Sequence, residues 1–449
     1  VIRDSEVSPG DEDAPNLLKA MENELKKRSK AKPVYLEIEK SCAPELLEAL
    51  CQGIGFPKEE VMFINGTLDL AYLMNLSAMV ELPQLAFRSF VAAKSVYENI
   101  FEKIKEGDFI IHLPYQSFHP VVDLIQTAAK DEGVLAIKMT LYRTNEDSAI
   151  INALKQAAKN KKQVTVLVEI KARFDEEKNI LWVRELEQSG CHVIYGIPGL
   201  KIHSKLTLVV RKEEGRIRRY IHLSTGNYNE KTARQYTDIG YFTCNDDFGR
   251  DISDVFNVMT GYSMPSPWKR IVSSPNDLRK HFFDLIDNEI AFQKKNKNGS
   301  IFAKMNSLED SKIIEKLYEA SCAGVKIRLL VRGMCCLVPG VSGLSENIEV
   351  KSVVGRFLEH SRLYLFNNNS NARVFMASAD WMQRNFDRRI ELMFEVYKQD
   401  IKEQLSSILE TYWKDNTKAR ILSAEKTYAY YKNGEDRFNA QEFLINHYA

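Results

Sequence analysis

From residue 109 onward, short apolar segments of period two or continuous character alternate with stretches in which apolar residues recur every three to four positions. The segments Phe109–His112, Val134–Met139, Val164–Ile170, His192–Gly196 and GLKIHSKLTLVV (199–210) read as strands. Between them, Val121–Asp131, Ala149–Lys159 and Asn179–Ser189 carry helical spacing. Strands alternating with helices predict an α/β sandwich with a substantially parallel sheet. Upstream, residues 12–30 predict a Glu/Lys-rich amphipathic helix and Val34–Glu39 a half-buried strand, followed by a mixed region to about residue 105. A Pro-containing linker is expected near 261–267, and Ile401–Trp413 predicts an amphipathic helix that packs.

The pattern then repeats. Lys138-Met139-Thr140-Leu141, followed by Glu146-Asp147-Ser148 and a helix, is echoed by Lys304-Met305-Asn306-Ser307-Leu308 and Glu309-Asp310-Ser311, with IRLLVRG (327–333) as the next strand. His203-Ser204-Lys205-Leu206 is matched by His360-Ser361-Arg362-Leu363. Each is followed by a strand ending in small polar residues, Ser224-Thr225-Gly226-Asn227 and Ser378-Ala379-Asp380. This is the signature of a duplicated α/β unit. The expected domains are 1–90, then 91–270 and 271–449 as the two copies.

Composition narrows the class without naming a chemistry. The 449 residues hold 62 basic and 61 acidic side chains, so any anion site must come from local clustering rather than bulk charge. Seven cysteines, an odd number without CxxC spacing, read as reduced thiols rather than a disulfide framework or zinc site. No apolar run is long enough for a membrane helix and the acidic beginning is unlike a signal peptide, so a soluble, intracellular protein is expected. A start at Val1 in place of Met suggests a piece of a longer chain.

Two histidines in matched repeats suit attack at phosphorus. One imidazole can become a phosphohistidine while the other handles protons at the entering or leaving oxygen, because both protonation states are accessible near neutrality. On a strand, Lys205 shares the face of His203, and Arg362 that of His360. Arg143, Arg173 and Arg332 follow strands, where α/β sheets build anion sites. In the polar stretch 225–238, Gly226 permits close backbone approach and Tyr236 can stack on a base or reach a phosphate. The plainer readings are polar caps on buried strands, surface arginines and a packed tyrosine.

The runs HLPYQSFHPV (112–121), IKMTLYRTNEDSAI (137–150), VTVLVEIKARFDEEKNI (164–180), GLKIHSKLTLVVR (199–211), LSTGNYNEKTARQYTDIG (223–240), LLVRGMCCLVPGVSGLSENI (329–348), VGRFLEHSRLYLF (354–366) and ASADWMQRNFDRRIE (377–391) resemble the bacterial polyphosphate kinases of the first type, in order from about residue 34 to Trp413. The resemblance implies two tandem phospholipase D-like α/β domains preceded by the remnant of a mainly helical domain. It implies reversible transfer of the ATP γ-phosphate to inorganic polyphosphate through a phosphohistidine. It assigns His203 as the phosphorylated residue, with His360 as the second essential histidine and Lys205 beside them, and Tyr236 and Arg332 to nucleotide phosphates; His360, Arg362 and Asn227 are the further candidates for ATP and phosphate contact. Arg143 and Arg173 fall at its Mg²⁺ site, where guanidinium groups would hold phosphate oxygens beside the metal rather than ligate it. ATP, ADP and polyphosphate are the implied partners, without nucleic acid. A cytoplasmic homo-oligomer, dimeric or tetrameric and able to sit peripherally at the inner membrane, is implied as well. Two other readings stay open: a phospholipase D-type phosphodiesterase or nuclease, and a polyanion-binding module without catalysis. Arg362 and Asp380, standing where diesterases usually keep lysine and asparagine, disfavour the first. The second leaves the paired histidines unexplained.

Overall fold

The same strand order occurs twice. In the computed structural model the first sheet runs 109–113, 236–243, 216–224, 206–213, 134–141, 163–168, 192–195. The second runs 271–273, 392–396, 373–377, 363–366, 300–305, 326–331, 348–353, and continues into 419–422 and 428–430. Strand senses match as well. Val134–Leu141, Gln163–Val168 and His192–Tyr195 are parallel neighbours, as are Ser300–Met305, Lys326–Val331 and Ile348–Val353, and the remaining pairs shared by the two sheets are antiparallel. The duplication read from the sequence is therefore topological. The parallel share is smaller than expected, because strands past residue 200 are joined by a tight hairpin at Gly215 instead of a helical crossover.

The structure describes residues 1–4, 23, 26–28, 30–79, 82–142, 148–169, 176–197, 199–261 and 267–449. Most of the expected helix 12–30 and the centre of the expected linker 261–267 lie outside them. The chain divides into two compact units, Val1–Phe90 and Val91–Ala449. The first contains the helix Pro44–Ile54 and short strands around a small core of Leu36, Ile38, Leu47, Cys51, Phe56 and Val61. The expected strand 34–39 is two strands, Pro33–Tyr35 and Glu37–Glu39.

In the second unit, helices form where a cap and an apolar stripe coincide. Ser148 accepts a hydrogen bond from the Ile150 amide and opens Ala149–Lys159, whose Ile150, Ile151, Leu154 and Ala157 are buried. Asp310 caps Ser311–Cys322 in the matching place of the other copy, burying Ile313, Ile314 and Leu317. Each such aliphatic side chain contributes roughly 1.5–3 kcal/mol by leaving water. Gln399–Lys414 is the packing helix expected near 401–413 and buries Ile401, Leu405, Ile408 and Leu409. Among the described residues no helix is long and apolar enough to cross a membrane.

Two short parallel pairings join the copies. Lys201–Ile202 pairs with Arg389–Ile390, and Tyr236–Thr237 pairs with Leu358–Glu359. Each pairing stops just before a histidine on one strand and just before a carboxylate on the other, and this register builds the site.

Candidate active site at the junction of the two copies

GLKIHSKLTLVV is not one strand. Lys201–Ile202 ends before His203, and Leu206–Glu213 begins after Lys205. The second copy has the same break between Leu358–Glu359 and Leu363–Phe366. Strand alternation therefore does not put Lys205 beside His203. The break does, because it frees the backbone of residues 203–205 to turn both side chains into one cluster.

Each histidine is oriented by a carboxylate from the other copy. After Ile202 pairs with Ile390, His203 Nδ1 lies 2.8 and 2.9 Å from the two oxygens of Glu391. After Glu359 pairs with Thr237, His360 Nδ1 lies 2.9 Å from both oxygens of Asp238. The backbone fixes both, since the His203 and Ser204 amides donate to the Ile390 carbonyl and the His360 amide donates to Thr237 Oγ1. An ionised carboxylate only accepts, so it holds the proton on Nδ1 and leaves the Nε2 lone pair available.

The electrostatics favour neutral imidazoles. Burial, followed by Lys205, Arg389, Arg362 and His360, pushes His203 well below its ordinary value. Burial also lowers His360, with Asp238 opposing and Arg362 reinforcing it. Glu391 is fully buried, and burial pushes its carboxyl up to about 7 against the pull of Lys205 and Arg389. Burial pulls the Lys205 ammonium down to about 7 against the pull of Glu391, and this amine donates to the His203 carbonyl. Asp238 stays below the usual carboxylate range despite burial, held there by His360 and the Thr225 hydroxyl.

Arg362 is locked in place. Nε and Nη2 donate to Asp380 at 3.2 and 3.1 Å, and Nη1 donates to the carbonyls of Thr225 and His360 and lies 3.2 Å from His360 Nε2. Arg332 donates Nε to the Glu359 carbonyl at 3.0 Å and Nη2 to Asn306 Oδ1 at 2.8 Å. Asn306 also donates to the His360 carbonyl, which ties Arg332 to the same loop. The Tyr236 ring is 5.4 Å from that of His360, tilted rather than stacked. Asn227 keeps a buried Oδ1 without a partner among the described residues. Thus His203, Lys205, His360, Arg362, Arg332 and Tyr236 come together as a group, while Arg143 and Arg173 lie outside the described residues. Among those residues no group of three His, Cys, Asp or Glu side chains could hold a metal ion.

Sequence reasoning missed the carboxylates. Asp238 and Glu391 lie inside the motifs that drew attention, YTDIG and DRRIE, but a search for cations and nucleophiles passes over them. Matching the copies one strand further would have found them, since Asp238 lies in the first three residues of the strand that follows the small-polar loop and Glu391 directly precedes its counterpart.

Three family models match the chain: polyphosphate kinase middle domain over residues 1–76, C-terminal domain 1 over 99–265 and C-terminal domain 2 over 271–441. The chain belongs to the polyphosphate kinase family. Among the family's curated members, the polyphosphate kinase of Lactiplantibacillus plantarum is 47% identical over 433 residues, which is 96% of this chain and 60% of the relative. That of Bacillus anthracis is 46% identical over 453 residues, 99% of this chain and 64% of the relative. The crystal structure of the family member from Porphyromonas gingivalis superposes with a TM-score of 0.82 at 34% identity, covering 92% of this chain and 64% of that one. The chain therefore spans 60–64% of the length of these family members. The tandem α/β duplication expected from the sequence is the repeated architecture described above.

Proposed function

We propose that the protein containing this chain is a polyphosphate kinase, transferring the γ-phosphate of ATP reversibly to inorganic polyphosphate through a phosphohistidine at His203. The observation that carries this reading is the crossed pairing of His203 with Glu391 and His360 with Asp238, which presents two neutral imidazoles to one cationic cleft. His203 Nε2 attacks the γ-phosphorus, the bond from that phosphorus to the bridging oxygen breaks, and ADP leaves with the bond's electron pair. A terminal oxygen of polyphosphate then attacks the same phosphorus, the P–N bond breaks, and the chain is one phosphate longer. Glu391 keeps the hydrogen bond from Nδ1–H, and its negative charge stabilises the positive charge of the phosphorylated ring. Lys205 and Arg362 neutralise oxygens as charge spreads over the transferring group, and His360 moves the proton at the polyphosphate terminus.

Mg²⁺ fits this site only as a companion of the substrate. The described residues make no carboxylate cage, and Mg²⁺ commonly reaches kinase sites bound to phosphate oxygens, whose charge it neutralises. Arg143 and Arg173 belong to the proposal as phosphate contacts beside it.

Incubating the full-length protein with ATP labelled at the γ-phosphate and Mg²⁺ tests the reading. Acid-labile, base-stable label should appear on the protein, map to the peptide holding His203, and pass to added polyphosphate. No label on folded protein would overturn it, and product release from a phosphodiester without labelled histidine would favour a diesterase. Arg332 contributes to ATP binding in this reading, since Nε and Nη2 are held by protein and Nη1 remains for a phosphate oxygen. Arg332→Ala should raise KM for ATP about tenfold in initial-rate measurements with a smaller effect on thermal unfolding. Parallel loss of stability and activity would assign it to structure alone.

A further inference from the structure

The residue preceding each histidine differs between the copies. Ile202 precedes His203 in one pairing, and Glu359 precedes His360 in the other. Glu359 is only 4% exposed, yet its carboxylate gathers Lys304 Nζ at 2.9 Å, Thr237 Oγ1 at 2.8 Å and Gln441 Nε2 at 2.5 Å. The Tyr412 hydroxyl, its pKa raised by burial and then by the Glu359 charge, meets the Tyr115 hydroxyl at 3.0 Å. Gln441 lies in the first turn of the C-terminal helix Ala440–Tyr448 and is 3% exposed. Its amide clasps Phe357, accepting the N–H at 2.9 Å and donating to the carbonyl at 2.9 Å. A Cβ on Gly355 would approach Gln441 Oε1 to 2.5 Å, so that glycine lets the loop close on the amide. Asn439 caps the helix and the Ala440 amide donates to Asp415, which fixes where Gln441 stands.

We propose that Gln441, acting through Glu359, is a positioning residue for His360. A continuous chain of bonds links them: Gln441 donates to Glu359, Thr237 donates to Glu359, and the His360 amide donates to Thr237. Thr237 adjoins Asp238, so the same chain sets the distance between His360 and its carboxylate. His203 is held by other partners: its amide donates to the Ile390 carbonyl, and the Ile202 amide before it donates to Glu169 at 2.8 Å, so neither bond passes through Gln441. Removing Gln441 leaves a buried carboxylate and both backbone groups of Phe357 short of partners, and the strand Leu358–Glu359 shifts. The kinetic arm of the test rests on the proposed kinase activity, and the chemical arm does not.

The test uses the full-length protein with Gln441→Ala and Gln441→Glu. Diethylpyrocarbonate modification read by peptide mass spectrometry follows His360 and His203 separately. In Gln441→Ala the His360 rate should change about threefold or more while the His203 rate holds, the response expected of a local displacement. In turnover, kcat should fall about tenfold with KM for ATP moving less than about twofold. Gln441→Glu puts a second carboxylate against Glu359, and two acids so close cannot both ionise. Its kcat should therefore recover between pH 8 and pH 6 relative to the parent, whereas Gln441→Ala stays equally depressed at both. Parallel changes at both histidines, or a Gln441→Glu profile that follows the parent, would overturn the proposal. Absence of phosphohistidine in the parent would count against the kinase reading, leaving the modification rates to decide this one.

Discussion

A Glu391→Gln variant is expected to form phosphohistidine about 10²–10³-fold more slowly than the parent while unfolding at no lower temperature at pH 8. Both effects come from one buried group. Glu391 holds the Nδ1–H of His203 and accepts from Ser378 Oγ at 2.5 Å, so its charge fixes the tautomer that leaves Nε2 free. An amide of the same shape carries no charge to stabilise the phosphorylated ring, and with its NH₂ toward Nδ1 it would move the ring proton onto Nε2. The stability effect has the opposite sign. The Glu391 carboxyl rises from 4.5 to about 7 on folding, so folding binds a proton between those values. The penalty for burying the charge is absent below the lower value and complete above the upper one. At pH 8 the glutamine variant escapes it. The labelling rate of the parent should fall on the acid side of about 7 as Glu391 protonates and on the alkaline side as Lys205 loses its charge, and the glutamine variant should lose the acid limb. The limbs belong to the cluster as a whole, since the two groups feel each other's charge. Rapid-quench labelling across pH, with thermal unfolding at pH 5 and pH 8, checks both halves. A variant that labels at the parent's rate would remove Glu391 from the mechanism.

The parts legible in the sequence were those encoded by local periodicity or literal repetition. Ala149–Lys159 appears where spacing predicts it, because a serine cap and an apolar stripe coincide in one short window. The doubling of the fold was visible because HSKL and HSRL stand in matching contexts. What could not be read is set by tertiary register. Nothing local in GLKIHSKLTLVV says that the strand breaks at His203, because the break is made by pairing with Arg389–Ile390 from the other copy. For the same reason Glu391 looks like one more acid in a charged run until the two copies are brought together. Glu359 is less legible still. It sits where the first copy has Ile202, and only its burial among Lys304, Thr237 and Gln441 separates it from a surface acid. The C-terminal helix Ala440–Tyr448 holds the loop that carries His360 through the two bonds of Gln441 to Phe357.

Gly226→Ala is expected to lower kcat about 10²-fold and stability by about 1–3 kcal/mol, although it adds a single methyl group away from both histidines. A Cβ at Gly226 would overlap the Asp238 carboxylate, and the backbone there needs no left-handed conformation, so the requirement for glycine is one of space. The loop cannot simply retreat. The Gly226 amide donates to Ser224 Oγ at 3.0 Å, the Thr225 amide donates to the Ile239 carbonyl at 3.1 Å, and Thr225 Oγ1 donates to Asp238 Oδ1 at 2.7 Å. Asp238 must yield instead, giving up both contacts to His360 Nδ1 and the Thr225 hydroxyl. His360 then loses the partner that fixes its tautomer and keeps only Arg362 beside Nε2. Asp238→Asn separates the two consequences, because it preserves shape while removing the charge that His360 faces. Once asparagine is in place, adding Gly226→Ala should cost little further activity yet still lower the unfolding temperature, a non-additive result for kcat and a nearly additive one for stability. Full activity in Gly226→Ala would mean that His360 does not depend on Asp238, and the crossed pairing would lose its second half.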